Sequence, residues 1–404
     1  MKRVQKSTVL DVRRINRSTV LRRIYLGRST NRQELSQHSG LSPATVTNVV
    51  VELLQEGIIL ESGIEASQGG RPRSILTVNP HYGYFIGVEV GETRIRIELF
   101  DLTLHLIDFV AYALALDENQ PEQVVQYIQQ GVQAVLSTTM ISKGQVIGVG
   151  IGVGGLVEQV SACIPGWEWQ SVPLAALLEE RLHMPIFLEN SAKAMAQVEN
   201  LFGTGQGYEH MIALLIGTGI GAGIIADDTL YRGGSNSAGE WGHTTIVLDG
   251  RLCRCGSHGC LEAYAGAPGI IERLREIAPV SSLTRDDDQE GTIAAIVAAA
   301  RDGNLAAIQV LKDTAHYLGG GIANLINLFN PQLIILGGWV GLEIGAYILP
   351  ELRQFVARYA LKQPFSTVKI VVSQLGQDAA AMGAAALILE QFLLTAGKQN
   401  PLLS

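Results

Sequence analysis

The feature that most restricts how this chain can fold is one stretch of eighteen residues, His243-Thr-Thr-Ile-Val-Leu-Asp-Gly-Arg-Leu-Cys253-Arg-Cys255-Gly-Ser-His-Gly-Cys260. It holds three of the four cysteines and one histidine. An imidazole and three thiolates complete a tetrahedral Zn²⁺ site and leave no open position for water, so the metal expected here is structural. Gly256 and Gly259 let the Cys-x-Cys-x4-Cys loop turn around the ion. Single buried thiols are the usual fate of cysteine in a reducing compartment, but clustering at ligand spacing sets these three apart. Cys163 lies far from the cluster and is expected to be a small core residue.

A chain of 404 residues exceeds what one hydrophobic core can organise, so several domains are expected. The net charge of −8 hides an asymmetry. Residues 1–80 carry 12 Lys/Arg against 6 Asp/Glu, a net of +6, and the remainder carries 18 against 32, a net of −14. A basic head on an acidic body suits a nucleic-acid-binding module joined to something else. Met1-Lys-Arg-Val-Gln-Lys is followed by charged rather than apolar sequence, which argues against a signal peptide. The longest uncharged apolar run, 211–226, contains four glycines and falls short of a membrane span. The expected location is the cytoplasm, with no membrane insertion.

Within the head, residues 12–26 read as a helix with Ile15, Val20, Leu21 and Ile24 on one side and arginines on the other. A second helix starts with a capping box, either Thr30 with Gln33 or Asn31 with Glu34, and stops at Gly40. Ser42-Pro43 supplies an N-cap and a first-position proline for a third helix running to about Gln55. That helix buries Val46, Val49, Val50 and Leu53. Ser42, Ala44, Thr45, Thr47 and Asn48 remain near its exposed start, where small polar side chains can reach base edges in a major groove. Residues 57–61 and 73–78 read as a hairpin around Gln68-Gly69-Gly70-Arg71-Pro72-Arg73, completing a winged helix-turn-helix. Arg71 and Arg73 on this extended tip suit insertion into a narrow A·T-rich minor groove.

From Tyr84 onward the chain turns to glycine-punctuated apolar strands. Residues 85–91 with 94–100 form one strand pair and 210–226 another, with a turn at 217–223. Strands are also expected at 146–153, 185–190 and 332–338, and helices at 261–278, 292–302, 306–328 and 379–394. The order strand hairpin, helix, strand occurs twice, which implies two related α/β lobes with a cleft between them.

Gly239-Glu240-Trp-Gly-His243, followed by Cys253-x-Cys255-Gly-x-x-Gly-Cys260-x-Glu262, resembles the signature of the ROK family of sugar kinases and repressors. The resemblance runs from about Tyr84 to the end, and the head resembles that of the family's repressor branch, the xylose and N-acetylglucosamine repressors. It implies an actin/hexokinase-like (ribonuclease H-like) α/β fold of two lobes. The expected division is residues 1–80 as the winged helix-turn-helix, 84–190 with 380–404 as the small lobe, and 191–379 as the large lobe with the zinc site. By position, Asn190, Glu240, His243 and Glu262 are implied as sugar contacts. Carboxylates and amides can each serve two hydroxyls, and Glu240 and Glu262 could equally support the metal site.

The chain also departs from the family's kinases. Their strand-helix junction places an Asp base after the Asn, where this chain has Ser191, and a serine without an activating partner cannot take the proton. Their first phosphate loop, Asp-x-Gly-Gly-Thr-Lys, reads Glu89-Val-Gly91-Glu92-Thr93-Arg94, which puts a negative side chain where ATP phosphates would approach. The second loop, Gly217-Thr218-Gly219-Ile220-Gly221, and the turn Gly337-Gly338 are retained. Pro165-Gly-Trp-Glu-Trp169 stands where many relatives have Pro-Asn-Leu-Gly-Trp. No catalytic residue is therefore expected, nor ATP as a ligand. The expected protein is a sugar-responsive repressor of carbohydrate-use genes, binding a double-stranded DNA operator as a homodimer or homotetramer. The alternatives are an ATP-dependent sugar kinase with an accessory DNA-binding domain and a regulator controlled by a partner protein.

Overall fold

The computed structural model describes residues 9–65, 73–115, 118–158, 161–164, 167, 169–285 and 288–397. The head consists of α1 (Val9–Gly27), α2 (Arg32–Ser39), α3 (Pro43–Gln55) and a hairpin of β1 (Ile59–Glu65) and β2 (Arg73–Val78). Asn31 is the cap of α2, its Oδ1 accepting from the N–H groups of Gln33 and Glu34, and α2 ends at Gly40 with φ +69°. Ser42 caps α3 through Thr45 N–H, and Val46, Val49, Val50 and Leu53 are buried as the spacing predicts. The glycine-rich tip, Arg71 included, lies outside the described residues. Ile15 is 54% exposed, so it is not part of the inner face of α1, where Val20, Leu21, Ile24 and Tyr25 are buried.

Next come β3 (Tyr84–Val90), β4 (Arg94–Asp101), β5 (Leu106–Ala113), α4 (Pro121–Thr139), β6 (Val146–Val153), a small sheet of β7 (Leu156–Glu158), β8 (Ser161–Ile164) and β9 (Trp169–Val172), then α5 (Leu174–Leu182) and β10 (Ile186–Asn190). The first large sheet has the order β10-β6-β3-β4-β5. Cys163, on β8, is only half-buried, contrary to the core position expected for it. After α6 (Ser191–Phe202) the pattern repeats with β11 (Met211–Ile216), β12 (Ile220–Ala226) and β13 (Thr229–Leu230). The metal loop follows, then α7 (Glu262–Ala265), α8 (Ala267–Ile277), α9 (Gln289–Arg301) and α10 (Leu305–Phe329), where Gly266 breaks the single helix expected over 261–278. The chain closes with β14 (Leu333–Gly337), α11 (Gly338–Tyr359), α12 (Lys362–Thr367), β15 (Lys369–Val372) and α13 (Ala379–Leu394).

The second sheet, β13-β12-β11-β14-β15, has the topology of the first. In each, a first strand pairs antiparallel with its hairpin partner on one side and parallel with a later strand on the other, and a last parallel strand closes that edge. The central strands β6, β11 and β14 carry no charged or polar side chain, as expected of parallel-paired strands covered on both faces. β14, Leu333-Ile-Ile-Leu-Gly337, is buried at every position.

The lobes exchange helices. α6, which follows the last strand of the first sheet, packs on β11 and β12, whereas α13, which follows the last strand of the second, packs on β3 and β6. The two helices cross against each other between the lobes. Small residues make this approach possible. A Cβ added to Gly150 of β6 would lie 1.9 Å from the Ala384 carbonyl oxygen of α13, and one added to Gly383 would lie 2.3 Å from the carbonyl oxygen of Ala194 in α6.

Both crossing helices run from the cleft to the head. Phe202, at the end of α6, meets Tyr25 of α1 edge to face, with centroids 5.8 Å apart. At the far end of α13, Ser18 Oγ donates to Leu393 O at 2.7 Å and Arg17 Nε donates to Ala396 O at 2.7 Å. Arg17 also donates from Nη1 to Glu56 Oε1 at 2.6 Å. It is a buried bolt between α1, the end of α3 and the C-terminal segment rather than part of a solvated basic face. Leu21, Ile24, Leu53, Ile58, Phe85, Phe392 and Leu393 belong to one continuous core, so the head and the first lobe bury their apolar surface together.

Candidate functional site

The candidate metal ligands converge from one loop. A ring nitrogen of His243 and the sulfurs of Cys253, Cys255 and Cys260 all lie within 4.8 Å of one another. Two edges of this tetrahedron, Cys255 Sγ to Cys260 Sγ and Cys253 Sγ to His243 Nδ1, measure 3.7 Å. Ligands ~2.3 Å from a shared ion at tetrahedral angles stand about 3.8 Å apart, so these two edges match the spacing of a tetrahedral metal site. Gly259 permits the wrap, since it has φ +74° and a Cβ there would sit 1.7 Å from the Val247 carbonyl oxygen. Burial, reinforced by the crowding of Cys255 and Cys253, pushes the Cys260 thiol up to about 12. A divalent cation is what would let three thiolates share so small a space.

The cleft opens beside this loop. Glu89, Glu92, Arg94, Trp167, Asn190, Ser191, Glu240, His243, Arg254, Glu262 and Trp339 line it together with both glycine loops. All four residues implied as sugar contacts therefore meet in one cavity, but they are not equally free. Asn190 caps α6, its Oδ1 accepting from Ala192 and Lys193 N–H while its Nδ2 donates to Gly155 O at 2.8 Å. One amide hydrogen remains. Glu262 accepts from Arg254 Nε at 2.7 Å and from Ile220 N–H at 2.8 Å, which ties the second glycine loop to the metal loop. With Nδ1 in the metal cluster, His243 keeps the opposite edge of its ring. Glu240 is half-buried, and its carboxyl is raised by burial against the opposing pull of His243 and Lys193.

Among the described residues no side chain hydrogen-bonds to Ser191 Oγ. Glu92 acts differently from the bare negative charge expected of it. Arg254 Nη1 donates to both of its oxygens at 2.6 Å, so the first phosphate loop is bound by an ion pair to the opposite lobe. Burial opposes the charge on Arg254, but Glu92 and Glu262 outweigh it and hold the guanidinium protonated. Thr93 Oγ1 and Arg94 reach Glu290 at 3.3 and 3.7 Å, and Thr218 Oγ1 donates to Gln289 Oε1 at 3.1 Å. The start of α9 thereby sits across both glycine loops.

Two cleft residues escaped the sequence reading. Arg254 had a signal, being a charge held between two ligand cysteines. Trp339 follows Gly337-Gly338, and its indole Nε1 lies 3.1 Å from where a Cβ on Gly217 would be, so it fills the space between the second loop and that turn. Of the aromatic departures, Trp167 faces the cavity and stacks edge to face on Trp169, whose Nε1 is held by Asn119 O at 2.7 Å. Glu168 lies outside the described residues.

On the head, Ser42, Ala44, Thr47 and Asn48 are exposed and Thr45 is half-buried. The three hydroxyls are partly committed to the helix. Ser42 Oγ and Thr45 Oγ1 bond each other at 2.9 Å, and Thr47 Oγ1 donates to Pro43 O at 2.8 Å. Asn48 is exposed and makes no side-chain hydrogen bond among the described residues, and Arg73 is exposed at the base of the wing. If α3 enters a major groove, Asn48→Ala is expected to raise operator Kd roughly 5- to 100-fold, equivalent to about 1–3 kcal/mol, with little change on random DNA. Fluorescence anisotropy on both DNAs across a salt series would reveal it, and equal effects on both would refute the docking.

Two lobes of repeated topology, helices exchanged across a lined cleft, and a His/Cys₃ loop at its edge define a sugar-kinase-like body carrying a winged helix-turn-helix. The chain belongs to the ROK family, which it matches over residues 85–391. It is 31% identical over 389 residues to the xylose repressor of Caldicellulosiruptor bescii, covering 95% of this chain and 97% of that one. The crystal structure of a ROK family transcriptional regulator, a homologue of the E. coli MLC protein, superposes with a TM-score of 0.79 at 27% identity over 96% of this chain and 98% of that one. A ROK family glucokinase from Streptomyces griseus, solved with glucose and AMPPNP, gives a TM-score of 0.67 at 31% identity and covers 99% of itself but only 76% of this chain. The repressors match head and body, the kinase only a part the size of the body. The chain is a DNA-binding transcriptional regulator of this family.

Proposed function

We propose that the protein is a sugar-responsive repressor of carbohydrate-use genes whose kinase-like body has lost catalysis. The observation that carries this reading is the cleft itself, where hydroxyl-reading groups survive while Ser191 replaces a base and Glu92, paired with Arg254, occupies the phosphate loop. Asn190, Glu240, His243 and Glu262 serve as the sugar contacts, and ATP has no role. The structural ion held by His243, Cys253, Cys255 and Cys260 is Zn²⁺, which fixes the loop that presents Glu262 and Arg254.

The working parts are the head of residues 1–80, the small lobe of 84–190 with 380–404 and the large lobe of 191–379. Ser42, Ala44, Thr45, Thr47, Asn48, Arg71 and Arg73 face the operator. Operator half-sites mirror a protein two-fold axis, so the acting form is a homodimer or homotetramer in the cytoplasm. Among the described residues no single helix is long and apolar enough to cross a membrane. Sugar favours one lobe arrangement over another, and α6 with α13 pass that choice to α1.

Glu240→Gln tests this. The variant is expected to bind operator as tightly as wild type without sugar and to lose the sugar effect on DNA binding, because an effector moves an equilibrium only through its differential affinity. Wild-type protein with sugar and ATP should show no phosphoryl transfer in a coupled assay. Robust turnover would establish the kinase alternative.

A further inference from the structure

The gap between the two glycine loops is filled by three charged side chains. Arg254 donates from Nε to Glu262 at 2.7 Å and from Nη1 to both oxygens of Glu92 at 2.6 Å. They press close to Gly219, where a Cβ would stand 2.7 Å from Arg254 Nη2, 3.2 Å from Glu262 Oε2 and 3.7 Å from Glu92 Oε1. The cluster carries one net negative charge. Arg94, the other arginine lining this cavity, is already shared between Glu290 at 3.7 Å and Gln377 at 3.4 Å. Meanwhile Glu89 and Glu240 add two further carboxyl groups to the lining, and Glu89 Oε2 is buried with no hydrogen-bond partner among the described residues.

A hydroxyl and a phosphate meet this wall differently. A hydroxyl donates to a carboxylate that still has unused lone pairs, so Glu92 and Glu262 can accept from it without releasing Arg254. A phosphate monoester is mostly the dianion at neutral pH, has little proton to offer a carboxylate and calls for cationic donors, yet both arginines here are spent on carboxylates. To bind, it would have to take Arg254 from Glu92 and leave that carboxylate facing it in a half-buried cleft.

We infer that Glu92, Arg254 and Glu262 form the specificity-determining element of the cleft. They admit a neutral sugar and reject the same sugar bearing a phosphate on the hydroxyl that faces the glycine loops. The inference rests on the cleft being the effector site.

The test uses the full chain with its metal bound. Melting shifts and calorimetry would be measured with free aldopentoses and aldohexoses, with their terminal monophosphates, and with inorganic phosphate. Wild type is expected to bind one or more free sugars at least 100-fold more tightly than the matching phosphate ester and to ignore inorganic phosphate. Glu92→Gln frees Arg254 while keeping side-chain volume, and is expected to narrow that ratio to below 10-fold, with Glu92→Ala doing the same by a different geometry. A wild-type preference for the phosphate ester, or an unchanged ratio in both folded variants, would overturn the inference even though sugar binds the cleft. Binding of neither form would overturn the effector reading itself, and the inference with it.

Discussion

Cys260→Ser protein is expected to melt far below wild type and to purify with little metal. Cys260 is fully buried, and its backbone bridges to Thr245 while Leu261 N–H bonds Thr244 O, so the loop closes on itself through this residue. Structural zinc contributes ~10–16 kcal/mol of apparent binding free energy in small zinc-folded peptides. Here the loop is one part of a chain with large hydrophobic cores of its own, and the loss expected is on the order of 5 kcal/mol. Calorimetric melting with parallel metal analysis measures both quantities on one sample, and a strong chelator added to wild type should reproduce the shift. Because Glu262 and Arg254 hang from the same loop, sugar binding should disappear at temperatures where the rest of the chain is still folded. A metal-free wild type that melts where the loaded protein does would remove the ion from any structural role.

Gly150→Ala should be nearly as damaging, though it adds a single methyl group. Its Cβ would lie 1.9 Å from the Ala384 carbonyl oxygen and 2.5 Å from the Ala384 carbonyl carbon, both backbone atoms of a helix packed on both lobes' elements. Neither partner can yield by a rotamer change. Overpacking in cores costs about 1–3 kcal/mol when side chains can adjust, and a backbone collision belongs above that range, at roughly 4 kcal/mol. Gly144→Ala is the control, since nothing lies within 4 Å of a Cβ there. Urea unfolding of the two variants should separate clearly. A Gly150→Ala midpoint equal to that of Gly144→Ala would mean that α13 does not sit on β6 as described.

The parts of this protein that were legible in its sequence are those in which a few neighbouring residues settle the geometry. The caps Asn31 and Ser42, the buried face of α3 and the His243 to Cys260 loop are all of this kind. The repeated strand order also announced two lobes, because a buried parallel strand leaves an uninterrupted apolar run such as 333–336. What stayed hidden depends on pairs far apart in the chain. Glu92 and Arg254 are 162 positions apart, so Glu92 read as a bare charge and Arg254 was not singled out. Arg17 is 379 positions from the carbonyl it holds and read as one more arginine on a basic face. The competing duties of Asn190 and Glu262 were hidden for a related reason, since residue type states what a group can bind and not what it is already holding. Trp339 carried the weakest signal, an aromatic residue after two glycines whose partner, Gly217, has no side chain to advertise the contact.

The mounting of the head on α6 and α13 sets a mechanical ratio. α13 has sixteen residues, so at ~1.5 Å per residue it is a lever about 24 Å long, gripped near Gly383 by α6 and bearing Arg17's anchor just beyond its far end. A tilt of roughly 5° about that grip would sweep the anchored end by something near 1–2 Å, and two heads in a symmetric pair would move by equal amounts in opposed directions. Contacts to base edges fail over such distances, because a hydrogen bond lengthened by ~1 Å is no longer one. The cleft therefore has no need to open widely. In the symmetric pair proposed above, a change too small to expose its interior would already put the recognition helices out of register with the groove.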